Sequence, residues 1–151
     1  MSFKTVRDVL QLSRDIHENA SNLFEQLRDQ TQRERVDMML KLLSRHESQL
    51  AESLEKVEEK ASQRVLDEWH QAEVSSVAQV LEGCKACHPD VTIEELVEMA
   101  LKVDDALITL YSHMANEAST SESRSLFSNL ISMEEAEKVK KARAALSSYD
   151  W

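Results

Sequence analysis

The chain has 151 residues, with 28 Asp plus Glu against 18 Lys plus Arg and a formal charge of −10, so its surface repels phosphate backbones and anionic lipid. Nucleic-acid and membrane-surface roles are not expected. One glycine and one proline are too few for the turns of a sheet protein this long, and a single glycine excludes a Walker or Rossmann phosphate loop.

Leu, Ala, Glu, Lys, Gln and Met make up about half of the chain, which fits an all-α fold of a few long helices in one domain over residues 1–151. The predicted first helix runs from about Lys4 to Asp29, with Val6, Leu10, Ile16, Ala20, Leu23, Phe24 and Leu27 at steps of three and four. Its charges at Lys4, Arg7, Asp8, Arg14 and Asp15 interrupt any secretory signal, so a cytoplasmic location is expected. The second helix opens near Thr31, where Thr31 to Glu34 reads as a capping box, and carries Val36, Met39, Leu40, Leu43, Leu50, Leu54 and Val57. It is expected to extend toward Val65 and Trp69.

A short helix, VSSVAQVLEG, comes next, with Gly83 as its C-terminal cap. The third long helix opens at the box Thr92 to Glu95 and carries Ile93, Leu96, Val97, Ala100, Leu107, Tyr111 and Met114. The fourth opens at the box Ser119 to Glu122, and its apolar stripe is Leu126, Phe127, Leu130, Met133 and then Val139 to Leu146. Most methionines, Met38 among them, read as gap-fillers at these stripes. The end, SSYDW, reads as frayed.

Between the short helix and the third long one lies GCKACHPD, in which Cys84, Cys87 and His88 spell the attachment motif of a c-type haem. That attachment takes place after export, and with no export signal no haem is expected. As zinc ligands the three lack a regular fourth, for which His70 or Asp90 are the candidates. As a redox pair they lack the strand-to-helix setting that lowers a thiol pKa, and a disulfide does not suit a reducing cytosol. Loop thiols without chemistry are the plainest reading.

A shift of 87 lays Leu23 on Leu110, Phe24 on Tyr111, Leu27 on Met114, Leu40 on Phe127 and Leu43 on Leu130. The chain therefore reads as a helical hairpin repeated once across a long crossover, one arrangement of a four-helix bundle. Each apolar stripe is interrupted near its middle by an ionisable group: His17, Glu47, Asp104 and Glu134, with Glu137 three residues beyond. The same shift pairs His17 with Asp104, Glu47 with Glu134 and Leu50 with Glu137. Register leaves His46, Glu18 and Asp105 as inward alternatives. Groups of this kind in a core need a partner, a proton or a metal.

DIHENASNLF with LLSRHESQL, and KVDDALITLY with NLISMEEAEK, resemble the ferritin-like, rubrerythrin-like superfamily. The resemblance implies a ferritin-like four-helix bundle and a two-metal site built from a Glu on one helix and Glu-x-x-His on the next, repeated. This chain has His17 and Asp104 at the first-helix positions of that pattern, and Leu50 and Glu137 where it has histidines. The resemblance thus implies an altered iron or manganese site of His17, Glu47, Asp104, Glu134 and Glu137, with dioxygen- or peroxide-related chemistry. The alternative is a non-catalytic helical scaffold whose partner is a second copy, as in a homodimer, or another protein.

Overall fold

The computed structural model describes residues 2–85, 88 and 90–151. In chain order these are strand β1 (Ser2–Thr5), helices α1 (Val6–Arg28), α2 (Glu34–Lys60) and α3 (Gln63–Leu66), and strand β2 (Trp69–Ala72). Helices α4 (Ser75–Lys85), α5 (Ile93–Glu117) and α6 (Ser121–Ser147) come next, with a final 3-10 turn (Ser148–Asp150). Helices α1 with α2, and α5 with α6, form the two expected hairpins of an all-α bundle. The repeat is kept to the residue: Ile93 less Val6 and Ser121 less Glu34 both give 87, and α2 and α6 are each 27 residues long.

Local chemistry sets these boundaries. Thr5 with Asp8 and Thr92 with Glu95 form reciprocal capping boxes at the starts of α1 and α5, each satisfying two backbone N–H groups that a helix start leaves without partners. The box expected at Thr31 does not form. Arg33 is the N-cap and makes no side-chain cap bond, while Thr31 Oγ1 accepts from Arg33 N at 3.3 Å. Helix α6 is capped by Thr120, one residue beyond the expected Ser119, because Ser119 donates instead to the Glu68 carboxylate.

The crossover departs most from expectation. Helix α2 stops at Lys60, Ser62 caps the single turn of α3, and residues 69–72 form a strand rather than a helical extension. Strand β2 alternates exposed and buried residues and pairs antiparallel with β1, with Ser2 opposite Ala72 and Thr5 opposite Trp69. Helix α4 runs through Gly83, which has no positive φ and no heavy atom within 4 Å of a Cβ built there, so it is not the expected helix cap. Cys84 is buried on α4 and His88 is exposed; Cys87 and Pro89 of the motif lie outside the described residues.

Glu68 locks the crossover to both hairpins. Its carbonyl accepts from Val6 N at 3.0 Å, and its carboxylate accepts from Ser119 N and Oγ, Thr120 Oγ1 and Ser123 Oγ at the start of α6. A carboxylate there also meets the positive end of the helix dipole.

Leu10, Phe24, Leu40, Leu43, Leu96, Leu107, Met114 and Phe127 fill the interior, and the Tyr111 and Phe127 rings stand 6.2 Å apart. Val139 and Leu146 belong to solvent instead, at 49% and 70% exposure, and Met38 is also exposed. The inner face of the last turns of α6 is polar, carrying Glu134, Glu137 and Lys141. Among the described residues, no helix is long and apolar enough to cross a membrane.

Candidate metal centre

All four bundle helices send an ionisable side chain to one level of the core. Helix α1 supplies His17, α2 Glu47, α5 Asp104, and α6 both Glu134 and Lys141; each is 0% exposed. The placement comes from helical period, since His17 lies seven residues after Leu10 and seven before Phe24, and both of those face the core.

The five groups form a continuous chain. His17 Nδ1 lies 2.5 Å from Glu47 Oε2, and His17 Nε2 lies 2.8 Å from Glu134 Oε1. With a carboxylate at each ring nitrogen, both nitrogens donate and the ring is an imidazolium. Lys141 Nζ donates to Glu47 Oε1 at 2.8 Å and to Asp104 Oδ2 at 2.7 Å. Both oxygens of Glu47 are thereby taken. Asp104 Oδ1 and Glu134 Oε2 are buried and have no hydrogen-bond partner among the described residues.

This wiring sets the electrostatics. Burial alone would push His17 down, but the facing carboxylates of Glu134 and Glu47 outweigh it and raise the ring to about 10. Burial would push Glu47 up; the ammonium of Lys141 and the imidazolium of His17 bring it down to about 2. For Asp104 burial wins, aided by the charges of Glu47 and Glu134 against the pull of Lys141, and the carboxyl rises to about 8. Burial costs Lys141 stability as a cation, yet Glu47 and Asp104 raise its pKa above the ordinary lysine value. Tyr111, buried beside Glu134, Ser13 and Asp104, is held well above the ordinary phenol range, chiefly by desolvation.

His17, Glu47 and Asp104 each offer one ligand atom, and these atoms lie within 4.8 Å of one another. One imidazole with carboxylates suits a borderline or hard divalent ion. A single ion fits the charge of the group. Glu47, Asp104 and Glu134 against the Lys141 ammonium leave two net negative charges once Asp104 and the imidazole have given up their protons. Lys141 lies between the carboxylates of two helices, Glu47 on α2 and Asp104 on α5.

Of the residues expected at the site, His17, Glu47, Asp104 and Glu134 converge as anticipated. Glu137 is placed elsewhere: its carboxylate accepts from His46 Nδ1 at 2.7 Å and from Lys140 Nζ at 3.1 Å, which hold it below the usual range against the upward push of burial. His46 belongs to that outer pair, Glu18 is exposed, and Asp105 is exposed and paired with Lys138. Lys141 is the residue that sequence reasoning missed. Continuing the inner stripe from Phe127 through Leu130, Glu134 and Glu137 at steps of three and four reaches it, whereas Val139 and Leu146 lie on the outer face. Its counterpart 87 residues earlier is Leu54, a buried apolar residue.

No known family model matches the chain, and no curated protein matches it in sequence. In structure it is similar to a protein of Thermotoga maritima provisionally described as a ferritin-like diiron-carboxylate protein. The two share 17% sequence identity with a TM-score of 0.62, over 98% of this chain and 99% of the other. The likeness spans both hairpins and the crossover, and the chain has the ferritin-like bundle fold.

Proposed function

We propose that the protein binds one divalent ion, iron or manganese, in the bundle core through His17, Glu47, Asp104 and Glu134. The observations that carry this reading are the triad His17, Glu47 and Asp104, whose donor atoms fall within 4.8 Å of one another, and two buried carboxylate oxygens without partners among the described residues, Asp104 Oδ1 and Glu134 Oε2. Buried polar atoms without partners are costly, and a bound cation relieves a carboxylate oxygen of that cost. The description of the Thermotoga protein as a diiron-carboxylate protein is consistent with it. Within the centre Lys141 fixes the second oxygen of Asp104 and one of Glu47, so those carboxylates are oriented before any ion arrives. His17 gives up a proton to become a ligand, and the enclosing walls, with every one of these side chains 0% exposed, keep bulk water away. A bound iron or manganese ion would supply one-electron chemistry toward dioxygen or peroxide.

The test is elemental analysis of tag-free protein with reconstitution by Fe(II) and Mn(II). One equivalent, lost in the Glu47→Ala/Glu134→Ala double variant, is the expected result. No binding after reconstitution refutes the proposal. A second reading, a ferritin-like scaffold held by an ionic core, is favoured by the saturation of Glu47 by His17 and Lys141. It predicts no metal and no loss of partner binding when the core is made apolar.

A further inference from the structure

The carboxylates of Glu47 and Asp104 reach toward each other from α2 and α5, and a single cation joins them: the ammonium of Lys141, 2.8 Å from Glu47 Oε1 and 2.7 Å from Asp104 Oδ2. We infer that Lys141 is a built-in substitute for a second metal ion, so that the protein itself fills one of two cation places and the centre accepts a single divalent ion. This rests on the proposed binding of metal in the core, and its test is separable from that proposal.

Three observations carry it. Bridging two carboxylates from two helices is the work of a metal ion in a two-ion site, and here Nζ does it at full hydrogen-bond strength with 0% exposure of all three side chains. Packing does not demand a lysine at this level, because the repeat-related position on α2 is Leu54, equally buried and apolar. The charge count agrees as well. With Asp104 and His17 deprotonated, as ligands must be, the three carboxylates and Lys141 carry two net negative charges, the balance of one divalent ion. Replacing the ammonium by a fourth carboxylate leaves four, the balance of two.

Helix geometry explains how a residue two turns away reaches the site. Lys141 comes seven residues after Glu134 on the same face of α6, roughly 10 Å along the axis. Its side chain leans toward the N-terminus of the helix, as Cβ vectors do, and so returns the ammonium to the level of Asp104. A shorter cationic side chain would not span that distance.

The test counts Mn(II) ions by elemental analysis and reads their spacing by electron paramagnetic resonance, in the wild type and in Lys141→Glu, Lys141→Ala and Lys141→Arg. Wild type and Lys141→Arg are expected to bind one ion with the hyperfine pattern of an isolated centre. Lys141→Glu and Lys141→Ala are expected to bind one ion more, with the exchange-coupled spectrum of a close pair. A gain of one ion in these variants upholds the substitute role even if the wild type binds none, an outcome that would sink only the metal reading of the native centre. Equal stoichiometry in all four proteins, or two ions in the wild type with Lys141 in place, overturns the inference. Should the neutral and acidic variants unfold without metal, the far-ultraviolet helical signal is recorded during Mn(II) addition. Recovery of that signal with one ion more than the wild type holds supports the inference, and no recovery in either variant overturns it.

Discussion

Replacing Glu47 by Leu in the metal-free protein probes the ionic core most sharply. An unpaired buried glutamate exchanged for leucine would leave stability unchanged or raise it. Glu47 is instead paired at both oxygens, to His17 Nδ1 and to Lys141 Nζ, and leucine strands two cations at once. Each keeps one other partner, Glu134 for His17 and Asp104 for Lys141, so the loss is partial at each. Removing one partner of a buried pair costs about 3–5 kcal/mol, which in a chain of this size lowers Tm by roughly 6–20 °C. Lys141→Met should cost a similar amount, because it strands Glu47 and Asp104. In the double variant the ion pair is gone as a unit, Asp104 is free to stay protonated, and His17 keeps Glu134. The double variant should therefore be more stable than the sum of the singles by about 2 kcal/mol or more. Urea unfolding in chelator, monitored by circular dichroism, measures all four corners of the cycle. Additive losses, or a Glu47→Leu protein as stable as wild type, would refute the wiring.

Stability of the metal-free protein should fall as pH rises, most steeply between about 6.5 and 8. His17, raised from 6.5 to about 10, and Asp104, raised from 3.8 to about 8, both hold a proton in the folded state that the unfolded chain has released or is releasing in that window. The contribution of His17 is complete below 6.5 and gone above about 10, while Glu47, depressed to about 2, adds stability that is lost only as pH falls from 4.5 toward 2. A Tm that is flat or rising between pH 6.5 and 8 would contradict these assignments. Glu68→Ala removes the acceptor of Ser119, Thr120 and Ser123 at the start of α6 and should cost about 1–3 kcal/mol by urea unfolding, with the metal stoichiometry unchanged. Leu146→Lys should change stability by less than about 0.5 kcal/mol, since the side chain is 70% exposed, whereas Phe127→Ala should cost about 3–5 kcal/mol; similar losses in the two would displace the assigned inner face of α6.

The two hairpins are legible in the sequence because an amphipathic helix writes its buried face at steps of three and four, and because the same pattern occurs twice at a spacing of 87. His17, Glu47, Asp104 and Glu134 are legible as polar breaks in those faces. Lys141 is not, since a lysine among the other basic residues of the last turns of α6 (Lys138, Lys140 and Arg143) reads as solvated, and only the carboxylates of two other helices make its burial tolerable. The apolar run from Val139 to Leu146 draws the expected stripe one face around. The strand at residues 69–72 is hidden for a different reason. Its partner is the first four described residues, and pairing across the whole first hairpin leaves no local signature. Glu137 lies on the inner stripe but is drawn away from the centre by His46 on α2, a contact that sequence spacing does not contain.

Anomalous diffraction from crystals grown with Mn(II) or Fe(II) decides whether the core holds one ion beside a lysine. One anomalous peak is expected within bonding distance of His17, Glu47, Asp104 and Glu134, with the Lys141 ammonium still held between Glu47 and Asp104. Two peaks bridged by the carboxylates, with Lys141 displaced, or no peak at full reconstitution, would contradict a single-ion centre.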